Sequence, residues 1–106
     1  MTEISPQDTS AAMLDPNRPV LLSHPDHLYV VGRLHGLRPP GIDNARVLEM
    51  GCGAGGNILP MASTMPGGQF LAVDQSEQKV EMAKAAAIAS GLCNIRFLVC
   101  EDLMAL

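Results

Sequence analysis

Two carboxylates and a dense run of glycines are the residues of this chain whose spacing could do chemistry. The apolar pair Val47-Leu48 leads into Glu49, and Met50-Gly51-Cys52-Gly53-Ala54-Gly55-Gly56-Asn57 follows at once. Nineteen residues after Gly55, a second apolar run, Phe70-Leu71-Ala72-Val73, ends in Asp74. Strand, glycine turn, helix, strand, acid is the order of a nucleotide-binding βαβ unit. Glycines let the backbone bend sharply and lie close to a bulky ligand. A carboxylate at the position of Asp74 can accept both hydroxyls of a ribose. The plainer role for Asp74 is to cap the helix that begins after Ser76. Asp102, which follows a third apolar run, can accept from an adenine amino group, and Glu101 beside it is an equal candidate.

The glycine turn admits two ligand classes. Gly51, Gly53 and Gly56 satisfy the dinucleotide pattern G-x-G-x-x-G. A dinucleotide carries a pyrophosphate, which wants bare backbone amides and no anion nearby. Glu49 stands two residues before Gly51 and would repel it. The same carboxylate favours a ligand with positive groups, such as the ammonium and sulfonium of S-adenosyl-L-methionine. Gly55 also extends the bend to G-x-G-x-G, a longer stretch of bare backbone.

Three strands and the helices between them must hold these residues. Residues 46–50, 69–73 and 95–100 read as strands, and the continuous apolar character of the first predicts burial on both faces. A helix is expected from about Gly55 to about Met65, with Pro60 tolerable only in its first turn. Ser76 caps a helix over 77–90, whose small residues Val80, Ala83 and Ala87, with Met82 and Ala86 beside them, suit close packing on a sheet. Upstream, residues 23–36 read as a helix that Ser23 or His24 can cap, with Pro25 in its first turn and Leu28, Val31 and Leu34 on one face. Residues 1–20, with Pro6, Pro16 and Pro19, read as a flexible N-terminal arm. The fold class is therefore α/β: a partial doubly wound, Rossmann-like parallel sheet with flanking helices and an added N-terminal helix.

The quoted residues resemble a known family. Glu49-Met50-Gly51-Cys52-Gly53-Ala54-Gly55, within 47–57, looks like the first motif of class I S-adenosylmethionine-dependent methyltransferases. Residues 70–76 look like the second motif and residues 97–103 like the third, which makes 21–106 the N-terminal half of such a domain. The resemblance implies a sheet in the order 3-2-1 and a cofactor set of Glu49, Gly51, Cys52, Gly53, Gly55, Asn57, Asp74, Gln75 and Asp102. In that set Glu49 faces the methionine amino group, often through water. The glycines line the cofactor, Asp74 takes the ribose hydroxyls, Gln75 flanks the adenine and Asp102 meets its amino group. Leu103 could pack on the adenine face.

A narrower resemblance covers Ser23-His24-Pro25, then Leu34-His35-Gly36-Leu37-Arg38-Pro39-Pro40, and Gly55-Gly56-Asn57-Ile58-Leu59-Pro60-Met61-Ala62. These stretches are similar to bacterial methyltransferases with a C-terminal methyltransferase regulatory domain, some of which methylate protein lysines. The elements that usually meet the methyl acceptor lie beyond the three strands seen here, so the chain alone is expected to be inactive. An NAD(P)-binding oxidoreductase fragment and a non-catalytic S-adenosylmethionine-binding or partner-binding module are the alternatives.

The totals narrow the rest. With 106 residues the chain makes one domain at most, and a formal net charge of −4 gives nucleic acid no standing surface. Three cysteines without C-x-x-C spacing point to reduced thiols in the cytoplasm, each read as a small apolar filler. No signal peptide, membrane span or metal site emerges. His24 and His27, spaced i, i+3, are two ligands at most and fit better as a cover over the ligand. No residue stands out as catalytic. The first strand is left at the edge of the sheet, which predicts self-association through it. Asp74→Ala is expected to weaken cofactor binding and leave stability unchanged.

Overall fold

A computed structural model describes residues 17–102 and 104. The arm over residues 1–16 and the Leu103 contact fall outside the described residues. Three parallel strands form one sheet in the order β1-β2-β3: β1 is Arg46–Met50, β2 is Gln69–Asp74 and β3 is Ile95–Val99. Val47 pairs with Phe70, and Phe70 with Ile95; at the carboxyl ends Met50 pairs with Val73 and Asp74 with Val99. Consecutive parallel strands, each joined to the next by a crossover, lie side by side in this order. The result is a 3-2-1 half-sheet in which all three carboxyl ends face the same way.

Helix α1 spans Pro25–Leu34, α2 spans Ile58–Thr64 and α3 spans Glu77–Ala89. Short 3-10 turns, Leu21–Ser23 and Ile42–Asn44, lead into α1 and β1. Pro25 opens α1 and the ring Nδ1 of His24 accepts the Asp26 N–H at 3.1 Å. That leaves Nε2 of His24 as the donor to the Thr64 hydroxyl, 3.2 Å away. Ser76 Oγ caps α3 by accepting the Lys79 N–H at 3.2 Å. Pro60 falls in the first turn of α2, where its missing N–H has no intrahelical partner to lose. At the far end of α2, the Asn94 amide donates to the carbonyls of Ala62 (3.1 Å) and Met65 (2.9 Å). This ties the last turn of the helix to the start of β3.

The core lies between α2 and the sheet. Ile58, Met61, Ala62 and Met65 pack with Phe70 and Ala72, and Val47, Ile95 and Phe97 border them. From α3, only Val80, Ala83 and Ala87 are buried, a single row at i, i+3, i+7. Met82 and Ala86 lie outside that row and are exposed, contrary to expectation. Leu59 of α2 and Ala83 of α3 come together at Gly55, where a Cβ would meet both.

The expected burial of β1 on both faces is not found. Leu48 is 54 % and Met50 46 % exposed, and on the same face Leu98 of β3, across the buried Val73 from Met50, is 47 % exposed. The α2 side of the sheet is covered, whereas on the opposite face Leu48, Met50 and Leu98 are exposed around the buried Val73. A hollow of about 860 Å³ opens there, lined in part by Leu48, Leu71 and Leu98. The apolar face of α1 is also uncovered: Leu28, Val31 and Leu34 are exposed, because α1 packs mainly on the two 3-10 turns. Of the three cysteines only Cys52 is a buried filler; Cys93 is exposed and Cys100 half-buried.

Candidate functional site

The carboxyl ends of the three strands bring the chemistry-bearing residues together. Immediately after β1 the backbone turns through Gly51, Gly53 and Gly55, with φ of +78°, +57° and +89°. A residue with a Cβ is strained at each of these angles, which is why the bend is built of glycine. The Gly51 and Cys52 N–H groups both donate to the Val73 carbonyl, at 2.7 and 2.9 Å, so the bend starts pinned to β2. It also explains why α2 begins at Ile58 and not near Gly55: the left-handed Gly55 cannot belong to a right-handed helix.

Asp74 closes the bend from the other side. Its Oδ2 accepts the Gly53 N–H at 2.8 Å and its Oδ1 accepts the Ser76 N–H at 2.8 Å. The Ser76 amide chiefly, with the Gly53 amide and nearby Lys79, holds the Asp74 carboxyl below the usual carboxylate range against the opposing effect of burial. Both oxygens keep a second acceptor position, so two ribose hydroxyls can still bind. Asp74 does not itself cap α3, whose cap is Ser76; it holds the Ser76 amide instead, and its free acceptor positions leave the ligand role open. The expectation that Asp74→Ala leaves stability unchanged does not survive, since two backbone amides depend on this side chain.

Glu49 is half-buried on β1. Its Oε1 accepts from Asn57 Nδ2 at 2.8 Å. Its Oε2 is buried without a hydrogen-bond partner, and no other buried side-chain oxygen or nitrogen among the described residues is in that state. Burial pushes the Glu49 carboxyl up, and the Asn57 hydrogen bond offsets this in part. Cys52, in the bend, has its thiol pushed up to about 11 by burial and by the negative charges of Asp74 and Glu49. It is protonated and unreactive at neutral pH. The bend is thus an electronegative place with one unmet carboxylate oxygen.

Gln75 and Asp102 lie at the same end of the sheet. The Gln75 amide donates to the Glu101 carbonyl at 3.1 Å, and the Cys100 N–H donates to the Asp74 carbonyl at 3.0 Å. Asp102 is exposed, and its Oδ1 accepts the Met104 N–H at 3.0 Å. His24 and His27 do not come together as a metal site: no group of three or more metal-ligating side chains exists among the described residues.

The segment ahead of α1 also belongs to the site, a role the sequence did not show. The Val20 N–H donates to Asn57 Oδ1 at 2.7 Å, and Asn57 Nδ2 donates to Ser23 Oγ at 3.1 Å. A Cβ on Gly56 would overlap the Asn17 and Arg18 backbone. The arm boundary drawn at residue 20 therefore cuts through a segment that is seated on the bend. The signal available was Gly56, a glycine the G-x-G-x-G pattern leaves unexplained.

Comparison with known proteins decides between the ligand classes. Residues 47–106 match the methyltransferase domain family. The chain belongs to that family. Among its relatives is an uncharacterized protein of Rickettsia prowazekii, 38 % identical over 83 residues, a match covering 78 % of this chain and 15 % of the relative. Ribosomal RNA small subunit methyltransferase G of Porphyromonas gingivalis is 38 % identical over 80 residues, covering 72 % of this chain and 36 % of that protein. Among solved structures, PKMT2 of Rickettsia typhi in complex with AdoHcy superposes with a TM-score of 0.75 at 34 % identity, over 78 % of this chain and 16 % of that one. The chain thus spans between 15 % and 36 % of the length of these relatives. As a methyltransferase domain it has a 3-2-1 sheet, a glycine bend and a β2 acid in the places the class I motifs require.

Proposed function

We propose that this chain is the S-adenosylmethionine-binding portion of a methyltransferase. The observation that carries the reading is the unpartnered Oε2 of Glu49 beside a bend of three left-handed glycines. An unpaired buried carboxylate oxygen is costly and calls for a cationic donor. The ammonium of the methionine moiety, directly or through a water, supplies one. Asp74 then takes the ribose hydroxyls, the bend at Gly51, Cys52, Gly53 and Gly55 lies against the nucleoside, and Gln75 and Asp102 reach the adenine. A dinucleotide would bring its phosphates to this same negative place, and family membership gives that alternative no support.

The cofactor supplies an activated methyl group on a sulfonium. What the chain contributes is alignment: Glu49 and Asp74 fix the two ends of the ligand, and the pinned bend sets its depth. The acceptor we infer is a protein lysine. The likeness to PKMT2 and the residues around Ser23-His24-Pro25 support it, and the net charge of −4 does not favour RNA. Among the described residues no helix is long and apolar enough to cross a membrane. The three free thiols fit work in the cytoplasm.

Isothermal calorimetry of the intact protein with S-adenosylhomocysteine and with NAD tests the cofactor reading. Binding of the first and not the second is expected; the reverse pattern would overturn it. Transfer of radiolabelled methyl groups to lysine-containing proteins by a full-length methyltransferase that carries this chain, abolished by prior lysine acetylation, tests the acceptor, and label retained after acetylation would exclude lysine.

A further inference from the structure

Asn57 stands where three segments meet. It is the residue before α2, yet its side chain does not cap that helix. Its side chain bonds to distant groups instead. One face of the amide donates to Glu49 Oε1 (2.8 Å) and to Ser23 Oγ (3.1 Å), and the other accepts the Val20 N–H (2.7 Å). The strap over residues 17–23 is held on the bend by these bonds and by the close approach of Asn17 and Arg18 to Gly56.

We infer that Asn57 is a positioning residue that joins the N-terminal strap to Glu49, so that seating of the strap and binding of a cationic ligand group at Glu49 reinforce each other. The inference rests on the S-adenosylmethionine reading above. The physical ground is the division of labour at the carboxylate. Asn57 occupies Oε1 and fixes the side chain, which leaves Oε2 as the oxygen still to be satisfied. A ligand ammonium at Oε2 fixes the carboxylate in the position from which Oε1 accepts from Asn57. A carboxylate held there keeps the Asn57 amide in place, and the same amide holds Val20 and Ser23. By reciprocity, a strap locked by Asn57 raises ligand affinity by the factor with which the ligand steadies the strap.

The test combines calorimetry with amide hydrogen exchange on the intact protein and its Asn57→Ala and Asn57→Asp variants, with S-adenosylhomocysteine as the probe. The Ser23 and His24 amides report the strap, because they close its 3-10 turn onto the Val20 and Leu21 carbonyls at 3.0 and 3.2 Å. In the wild type the ligand is expected to slow their exchange several-fold. Asn57→Ala should lower affinity about tenfold, as for loss of one charged hydrogen bond, and abolish the slowing. Asn57→Asp keeps the acceptor for Val20 but cannot donate to Glu49. Its strap should stay protected without ligand while affinity falls at least as far as in Asn57→Ala. Both variants binding as tightly as wild type would overturn the inference, as would ligand that leaves strap exchange unchanged or speeds it. A wild type that binds no S-adenosylhomocysteine at all would instead bring down the cofactor reading, and this inference with it.

Discussion

Asp74 receives the Gly53 and Ser76 amides before any ligand arrives, so it serves the fold and the site at once. Asp74→Ala should therefore cost about 1–3 kcal/mol of S-adenosylhomocysteine binding, measured by calorimetry, as for loss of a charged hydrogen-bond partner. It should also cost about 1 kcal/mol of stability, a value reduced because the carboxylate is partly solvated. The sign of its pH dependence follows from the lowered native pKa. The contribution to stability is present above the ordinary value of 3.8 and is lost as pH falls through the lower native value. Urea titrations of wild type and variant should accordingly converge in strong acid. Glu49 has the opposite sign. Its raised pKa means that its contribution is present below the ordinary 4.5 and lost as pH rises through the higher native value. Ligand-free Glu49→Gln should melt above wild type at pH 7, and the gap should close on acidification below 4.5. An acid that weakens the empty fold is what a site built for a cation requires.

At the scale of elements, Asn94 shows how much of α2 hangs on a single side chain from the loop before β3. Removing the two bonds to Ala62 and Met65 in Asn94→Ala should cost about 1–2 kcal/mol in chemical denaturation, without change in ligand affinity. The strands, the glycine bend, the Ser76 cap and the placement of Pro60 were legible in the sequence. Each rests on local chemistry: an apolar run, a left-handed backbone, a hydroxyl before a helix, a missing N–H. What was not legible depends on residues far apart in the chain. No local signal shows that Val20 and Ser23 would meet Asn57, or that the helices would leave Leu48, Met50 and Leu98 exposed on one face of the sheet. The same reason explains α1, whose apolar stripe is real in the sequence and is left exposed among the described residues.

For the molecule as a whole, the open face and the β1 edge form one continuous feature. β1 pairs on one side only, and Leu48 and Met50 stand exposed beside the unpaired backbone. Such an edge offers pairing to another chain. We propose that the 106-residue chain self-associates through it. Light scattering after gel filtration should show a mass that rises with concentration, and Leu48→Lys should shift it toward monomer. A mass that stays monomeric at every concentration would contradict this. Glu49 lies on β1 itself, between Leu48 and Met50, so ligand binding and association at this edge should be measured on the same samples.

The central claim is that a carboxylate guarding a bare-backbone bend selects a cationic, phosphate-free adenosine ligand. The most direct measurement is calorimetry of the intact protein and its Glu49→Gln variant with S-adenosylhomocysteine, whose amino group carries the charge in question. We expect affinity to fall about tenfold or more on neutralising Glu49, the size of a charged hydrogen bond. Equal affinity of the two proteins would contradict the claim.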